Sequence, residues 1–269
     1  MLPSEPAQET KELFYQSLNP NAKSTIVLIH GAFASSASWN LVTPYLQKNY
    51  HLLIPDVPNH GHSAHIGPYS TALAATSIAH LIKTHAIHGR AHIVGHSMGA
   101  KIAISLCEAF PHVVLSCLVS GFGVFNPSGW VKDWVPLGLW VMTRVENLVP
   151  RALMSWVMDG AVITRSWPDL ALCANVAQGE MSGEGGWPGS WPARTLIIVA
   201  GKGGFPPTAD RPQDAIRLAE IGRQMNQETY AVTHPQMRHP WVLQDPSLFA
   251  EIVVAWIEEK EIPQDFVKL

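Results

Sequence analysis

A serine flanked by glycines is the first place in this chain where covalent chemistry could be done. Ser97 is the centre of Gly95-His96-Ser97-Met98-Gly99, a G-x-S-x-G pattern. A hydroxyl is a weak nucleophile until a base removes its proton, and the oxyanion it creates on a carbonyl needs N–H donors. Small residues two before and two after the serine permit a very sharp strand-to-helix turn, where a Cβ at either flank would collide with a neighbouring element. The helix N-terminus behind the serine brings positive dipole and free N–H groups to the place where an oxyanion would form. Met98, directly after Ser97, is the first such donor.

The elements on either side fit that turn. Ala91 to Gly95 is short, apolar and β-branched, as a buried parallel strand requires. From Met98 the spacing becomes helical, with Ile102, Leu106 and Ala109 on one face, and Pro111 ends the run. Further strands are read at Ser24–His30, His51–Val57, His112–Gly121, Arg194–Gly201 and Glu228–Thr233. Helices are read at Trp39–Gln47, Thr71–His85, Leu148–Met158, Asp169–Gly179, Asp214–Met225 and Pro246–Lys260, while Leu13–Leu18 is helical or extended. Strands alternating with helices predict an α/β fold, a doubly wound and mostly parallel sheet whose sites lie at the strand C-terminal ends. Between residues 126 and 191 no strong strand appears, yet seven of the chain's ten tryptophans lie there. Residues 1–125 and 192–269 are therefore read as the core, and 126–191 as a helical, Trp-rich cap insertion over the strand ends.

Composition narrows the partners. The chain has 269 residues, a net charge of -3 and no run of Lys or Arg, which argues against nucleic acid or an anionic membrane as partner. Three cysteines make no disulfide framework, so a reducing, cytoplasmic location is expected. The polar stretch Met1–Asn21 lacks the apolar core of a secretory signal. Trp134–Thr143, interrupted by Pro136 and Gly138, falls far short of the roughly 20 apolar residues of a spanning helix, so no stable membrane insertion is expected. The glycines at 201–204 form no dinucleotide-binding pattern and no organic cofactor is implied. His60, His62 and His65 come without a carboxylate or cysteine ligand set, and no metal is expected. A homodimer is left open.

Taken in order, several motifs resemble the α/β-hydrolase superfamily over nearly all of residues 24–260. They are the strand ending in His30-Gly31, the turn Asp56-x-Pro58-x-His60-Gly61-x-Ser63, the Ser97 elbow, the insertion, and a late histidine loop. That loop reads Met237-Arg238-His239-Pro240-Trp241, with Pro246 opening an amphipathic helix. The resemblance implies Ser97 as nucleophile and His239 as base, with His234 the alternative. It also implies Ala32, or else Phe33, as the second oxyanion donor beside Met98, and Asp56 as a turn-shaping residue. The triad acid departs from the pattern. Where the family carries G-x-x-D, this chain reads Gly201-Lys202-Gly203-Gly204. The expected acid is Asp210, in a lengthened loop; Asp214, Asp133 and Asn126 are the other candidates. Phe33, Phe122, Phe125 and Trp241 on site loops, together with the Trp-rich insertion, suggest an apolar small-molecule substrate.

The leading expectation is a serine hydrolase acting on an ester, thioester or lactone. Two rivals stand beside it: a cyclase or lyase that uses the same pocket without hydrolysis, and a non-catalytic ligand receptor on this scaffold.

Overall fold

The alternation of apolar runs and amphipathic segments becomes, among the described residues, one eight-stranded sheet flanked by helices. The computed structural model describes residues 12–125, 127–162, 164–181, 186–204 and 210–269. The strands are β1 (Tyr15–Leu18), β2 (Thr25–Ile29), β3 (His51–Pro55), β4 (Ala91–His96), β5 (Val114–Ser120), β6 (Thr195–Ala200), β7 (Tyr230–His234) and β8 (Val267–Lys268). They lie in the order β1-β3-β2-β4-β5-β6-β7-β8. The six central strands are parallel, and only the edge strands β1 and β8 run antiparallel to their neighbours.

Side chains two residues apart leave the same face of a strand, so consecutive residues feed two separate cores. Val27, Ile29, Ile93, Val119, Ile197 and Val199 face one core, shared with α2 (Thr71–His85), α3 (Met98–Ala109) and α7 (Pro212–Arg223). Ile26, Leu28, Val94, Leu118, Leu196 and Ile198 face the other, against α1 (Thr43–Leu46), α8 (Trp241–Gln244) and α9 (Pro246–Ile257). A fully buried Ile or Leu contributes about 2 kcal/mol relative to exposure. Both layers are therefore held hard to the sheet.

Where one helix was expected at Trp39–Gln47, a 3-10 turn at Ser36–Trp39 is followed by the single turn α1. Pro44 sits in the opening turn of α1 and cannot donate to residues ahead of it, so the two pieces do not merge. Between β5 and β6 come α4 (Val131–Leu148), α5 (Arg151–Val157) and α6 (Leu170–Glu180). No expectation covered α4 as a helix, because Pro136 and Gly138 lie inside it. Its orientation is unusual. Thr143 and Asn147 are its buried residues, whereas Trp134, Leu137, Val141, Val145 and Leu148 are exposed. The polar inner side is anchored by Asn147, whose amide donates to the Ser166 carbonyl, and by Arg144, which donates to Pro168. No helix of the described residues is long and apolar enough to cross a membrane.

Candidate active site

Parallel strands deliver their C-terminal ends to one edge of the sheet, and the candidate residues follow those ends. Ser97 stands between the last residue of β4 and the first of α3, with φ 56° and ψ −122°. A non-glycine residue held there costs on the order of 1–3 kcal/mol, supplied by the surrounding packing. The flanking glycines explain how the turn closes. A Cβ on Gly95 would lie 2.2 Å from the Gly99 carbonyl oxygen, and one on Gly99 would lie 2.2 Å from the Ile29 oxygen. The Ser97 N–H donates to the Ser120 carbonyl at 2.8 Å, which ties the elbow to the end of β5. Met98 is the first residue of α3, where an N–H has no carbonyl within its own helix.

His239 lies in the loop between β7 and α8. Its Nδ1 is 2.5 Å from Asp210 Oδ1, with 14% of the histidine and 3% of the aspartate side chain exposed. The second oxygen of Asp210 accepts the Ala200 N–H at 2.8 Å, so the carboxylate is pinned to the end of β6. A carboxylate accepts rather than donates, so in the neutral ring the proton sits on Nδ1 and Nε2 carries the lone pair. Two neighbours bring this pair to the elbow. The His239 ring lies 4.9 Å from the ring of His96, the residue immediately before Ser97. Gly121, after β5, has φ +71°, and a Cβ there would meet His239 Cε1 at 2.6 Å. Burial and the neighbouring His239 push the His96 pKa down to about 3, so its ring is neutral in ordinary buffers.

The loop after β2 forms the other wall. A Cβ on Gly31 would lie 3.2 Å from Ser97 Cβ, which puts Gly31 against the nucleophile, with Ala32 and Phe33 following it in the loop. His30 holds this loop. Its Nε2 accepts the Val57 N–H, and its Nδ1 donates to the Gly31 carbonyl at 2.8 Å. Complete burial, then the adjacent His60, lower its pKa to about 4, which fixes the neutral tautomer these two bonds need. Asp56 is fully buried and accepts the N–H groups of Ser36 and His62 at 2.6 and 2.7 Å. Burial works to raise its pKa, but those donors prevail and hold it below the ordinary carboxylate value. It shapes the turn, as expected.

Residues 26–252 match the model of the Alpha/beta hydrolase family. An "AB hydrolase superfamily protein" of Gibberella zeae is 36% identical over 255 residues, covering 94% of this chain and 86% of that relative. This chain belongs to the alpha/beta hydrolase family. Solved structures agree on the fold: a "Marine microorganism esterase" superposes with a TM-score of 0.68 at 18% identity, covering 90% of this chain and 98% of that one. A thermophilic esterase from Thermogutta terrifontis gives a TM-score of 0.67 at 14% identity, over 92% of this chain and 93% of that one. Membership of the family supports a hydrolase activity.

Other expected site residues of this alpha/beta hydrolase fall in varied places. Trp241 was expected at the substrate and is instead fully buried on the opposite side of the sheet, 4.7 Å from the Phe249 ring. Its Nε1 donates to Ser120 Oγ at 2.7 Å, so it braces the strand end beneath the elbow. Phe122 is also buried, stacked 6.0 Å from Trp187 of the insertion. Phe33 has φ 59° and lines a cleft of about 210 Å³ together with Asn59, His60, Trp167, Pro168 and Leu172. His234 ends β7 with its ring against Phe266, and its Nδ1 accepts the Gln236 N–H. Asp214 accepts the Val124 N–H and joins α7 to the loop after β5. Asp133 is in the first turn of α4, and Asn126 lies outside the described residues. Ser120, Gly121 and His96 were not anticipated as supports, because nothing in their types or spacing distinguishes them before the strands are paired.

Proposed function

We propose that this chain is a serine hydrolase that cleaves an ester, thioester or lactone of an apolar small molecule. The observation that carries the reading is the Asp210–His239 hydrogen bond, formed beside the strained Ser97 elbow. In this reading His239 Nε2 removes the Ser97 proton as Oγ attacks the substrate carbonyl. The N–H groups of Met98 and Ala32 stabilise the oxyanion. Collapse of the tetrahedral species breaks the bond to the leaving oxygen or sulfur, which takes its proton from the His239 imidazolium. Water, deprotonated by the same histidine, then attacks the acyl-enzyme and releases the acid. Asp210 orients the ring and stabilises the imidazolium without taking the proton itself.

The insertion serves as the cap. Trp167, Pro168 and Leu172 form one side of the cleft and Phe33 part of the other, a set suited to an acyl or alkyl group, while Asn59, His60 and Ser166 add polar groups to the lining. A cyclisation or lyase reaction was attractive mainly for want of an acid, and Asp210 supplies that acid. The test is turnover of short acyl esters and labelling by a fluorophosphonate. Turnover should fall by about 10³-fold or more in Ser97→Ala, to the residual rate that positioning and oxyanion contacts sustain, and labelling should be lost with the hydroxyl. Retention of both by Ser97→Ala would exclude the mechanism.

A further inference from the structure

The insertion touches the candidate site through one carboxylate that the mechanism does not use. Asp159 follows α5 at φ 52°, a left-handed position that a short polar residue tolerates and that turns the chain back on itself. Gly160 N donates to the Ser155 carbonyl and Ala161 N to the Met158 carbonyl, closing that turn, and Ala161 is fully buried. Asp159 Oδ1 lies 2.9 Å from Lys202 Nζ, and Oδ2 lies 2.5 Å from Arg238 Nε. Lys202 stands two residues after β6, on the loop that leads to Asp210. Arg238 is the residue before His239. The two loops are already joined by the Lys202 N–H, which donates to the Met237 carbonyl at 3.0 Å. One carboxylate from the insertion therefore grips both catalytic loops at their point of contact.

Further along the insertion, at the end of α6, the anchor is of a different kind. Lys101 Nζ on α3 lies 2.7 Å from Glu180 Oε2 and donates to the Glu180 carbonyl, with only 11% and 21% of the two side chains exposed. A Cβ on Gly179 would strike the Tyr69 ring at 2.5 Å, so α6 is seated closely on the core. At the Asp159 end, 28% of the aspartate and 40% of the lysine side chain are exposed. Arg238 is 26% exposed, and ion pairs open to this degree are screened by salt more than the less exposed Lys101–Glu180 pair. The insertion thus has a packed anchor at Glu180, a hydrogen bond from Asn175 to Asn59, and a more exposed ionic anchor at Asp159, and the exposed one sits beside the base.

We propose that Asp159 is a positioning residue, which holds the His239 loop in register with Ser97 only while the insertion is seated. This rests on the reading of Ser97, His239 and Asp210 given above. Seating covers the cleft and steadies the base together, and release frees both together. Because the base is steadied by the grip, its loss should appear chiefly in kcat, with KM moving less. A general contribution to folding would lower Tm and leave kcat per folded molecule unchanged.

The experiment compares wild-type protein with Asp159→Asn on a short acyl ester, from about 0.05 M to about 1 M NaCl, a range over which the Debye length falls from over 10 Å to about 3 Å. The wild type should lose kcat severalfold as salt rises, with its circular dichroism unchanged. Asp159→Asn should start about tenfold lower in kcat at low salt, as expected for loss of orientation, and respond little to salt. Wild-type kcat and salt response in Asp159→Asn would overturn the proposal. If that variant fails to fold, the wild-type salt series decides alone, because a kcat independent of salt also overturns it. Failure of the underlying reading is separate, since it would appear as activity retained in Ser97→Ala.

Discussion

The sheet edge and the helical insertion are built on opposite terms. At the edge every device is buried and paired: Asp210 on Ala200 N–H, Asp56 on two backbone donors, Trp241 on Ser120, His30 on Val57 and Gly31. In the insertion four large aromatics are outside, with Trp130, Trp134, Trp156 and Trp167 exposed by 59–77%, while Val176 and Trp191 are buried in the core. Exposed apolar area adds nothing to the folded state, and polar anchors such as Asn147 and Arg144 do the holding. The difference teaches where precision is kept. In the proposed reaction, proton transfer and oxyanion contact would tolerate little displacement and fall to the buried strand ends, whereas recognition of an apolar group would fall to the more exposed insertion.

That contrast is best broken at the strand ends, where the largest effects are expected. Asp210→Asn should reduce kcat by about 10⁴-fold with the fold intact, because an amide can hold the His239 ring in the wrong tautomer. Steady-state kinetics with a circular dichroism control would check this. Next comes Gly99→Ala. Its Cβ would meet backbone rather than a movable side chain, and a destabilisation of about 3 kcal/mol or more is expected in urea melts. The acid limb of stability should also come from the sheet edge. His30 and His96 have pKa values of about 4 and about 3 in the fold, against an ordinary 6.5. Below pH 6.5 the unfolded chain takes up protons that the folded chain refuses, so stability falls as pH falls from there toward 4 and 3. Thermal melts across that range should show a steadily declining Tm.

Smaller effects sharpen the comparison. Trp241→Phe keeps most of the ring but leaves Ser120 Oγ without its donor, for an expected loss of about 1–2 kcal/mol measured by denaturant. Trp134→Ser and Trp156→Ser remove side chains that stand in water, and stability should move by no more than about 0.5 kcal/mol. A loss above about 2 kcal/mol there would mean that the insertion is as tightly integrated as the sheet.

The same contrast decides what could be read from the amino acids. Strands such as Thr25–Ile29 and Thr195–Ala200 are buried on both faces and therefore appear as unbroken apolar runs. The elbow was legible because its geometry forbids anything but small residues at 95 and 99. Helix α4 was not, because its apolar stripe faces outward and Pro136 and Gly138 interrupt it. Strand β8 is two residues long and owes its form to pairing with β7, which no local pattern announces. Asp210 was expected as the acid only from its place a few residues late in its loop, and its carboxylate accepts a hydrogen bond from His239. Trp241 was misassigned because an aromatic beside a histidine reads the same whether it faces a ligand or the core.

The central claim is that Ser97, drawn on by His239, becomes the acylated residue. Mixing the protein with a p-nitrophenyl acyl ester and following intact mass and peptide mass tests it most directly. The account predicts a burst of one equivalent of nitrophenol per protein and an acyl group on the peptide containing Ser97. Acylation at another residue, or steady turnover in Ser97→Ala equal to that of the wild type, would contradict it.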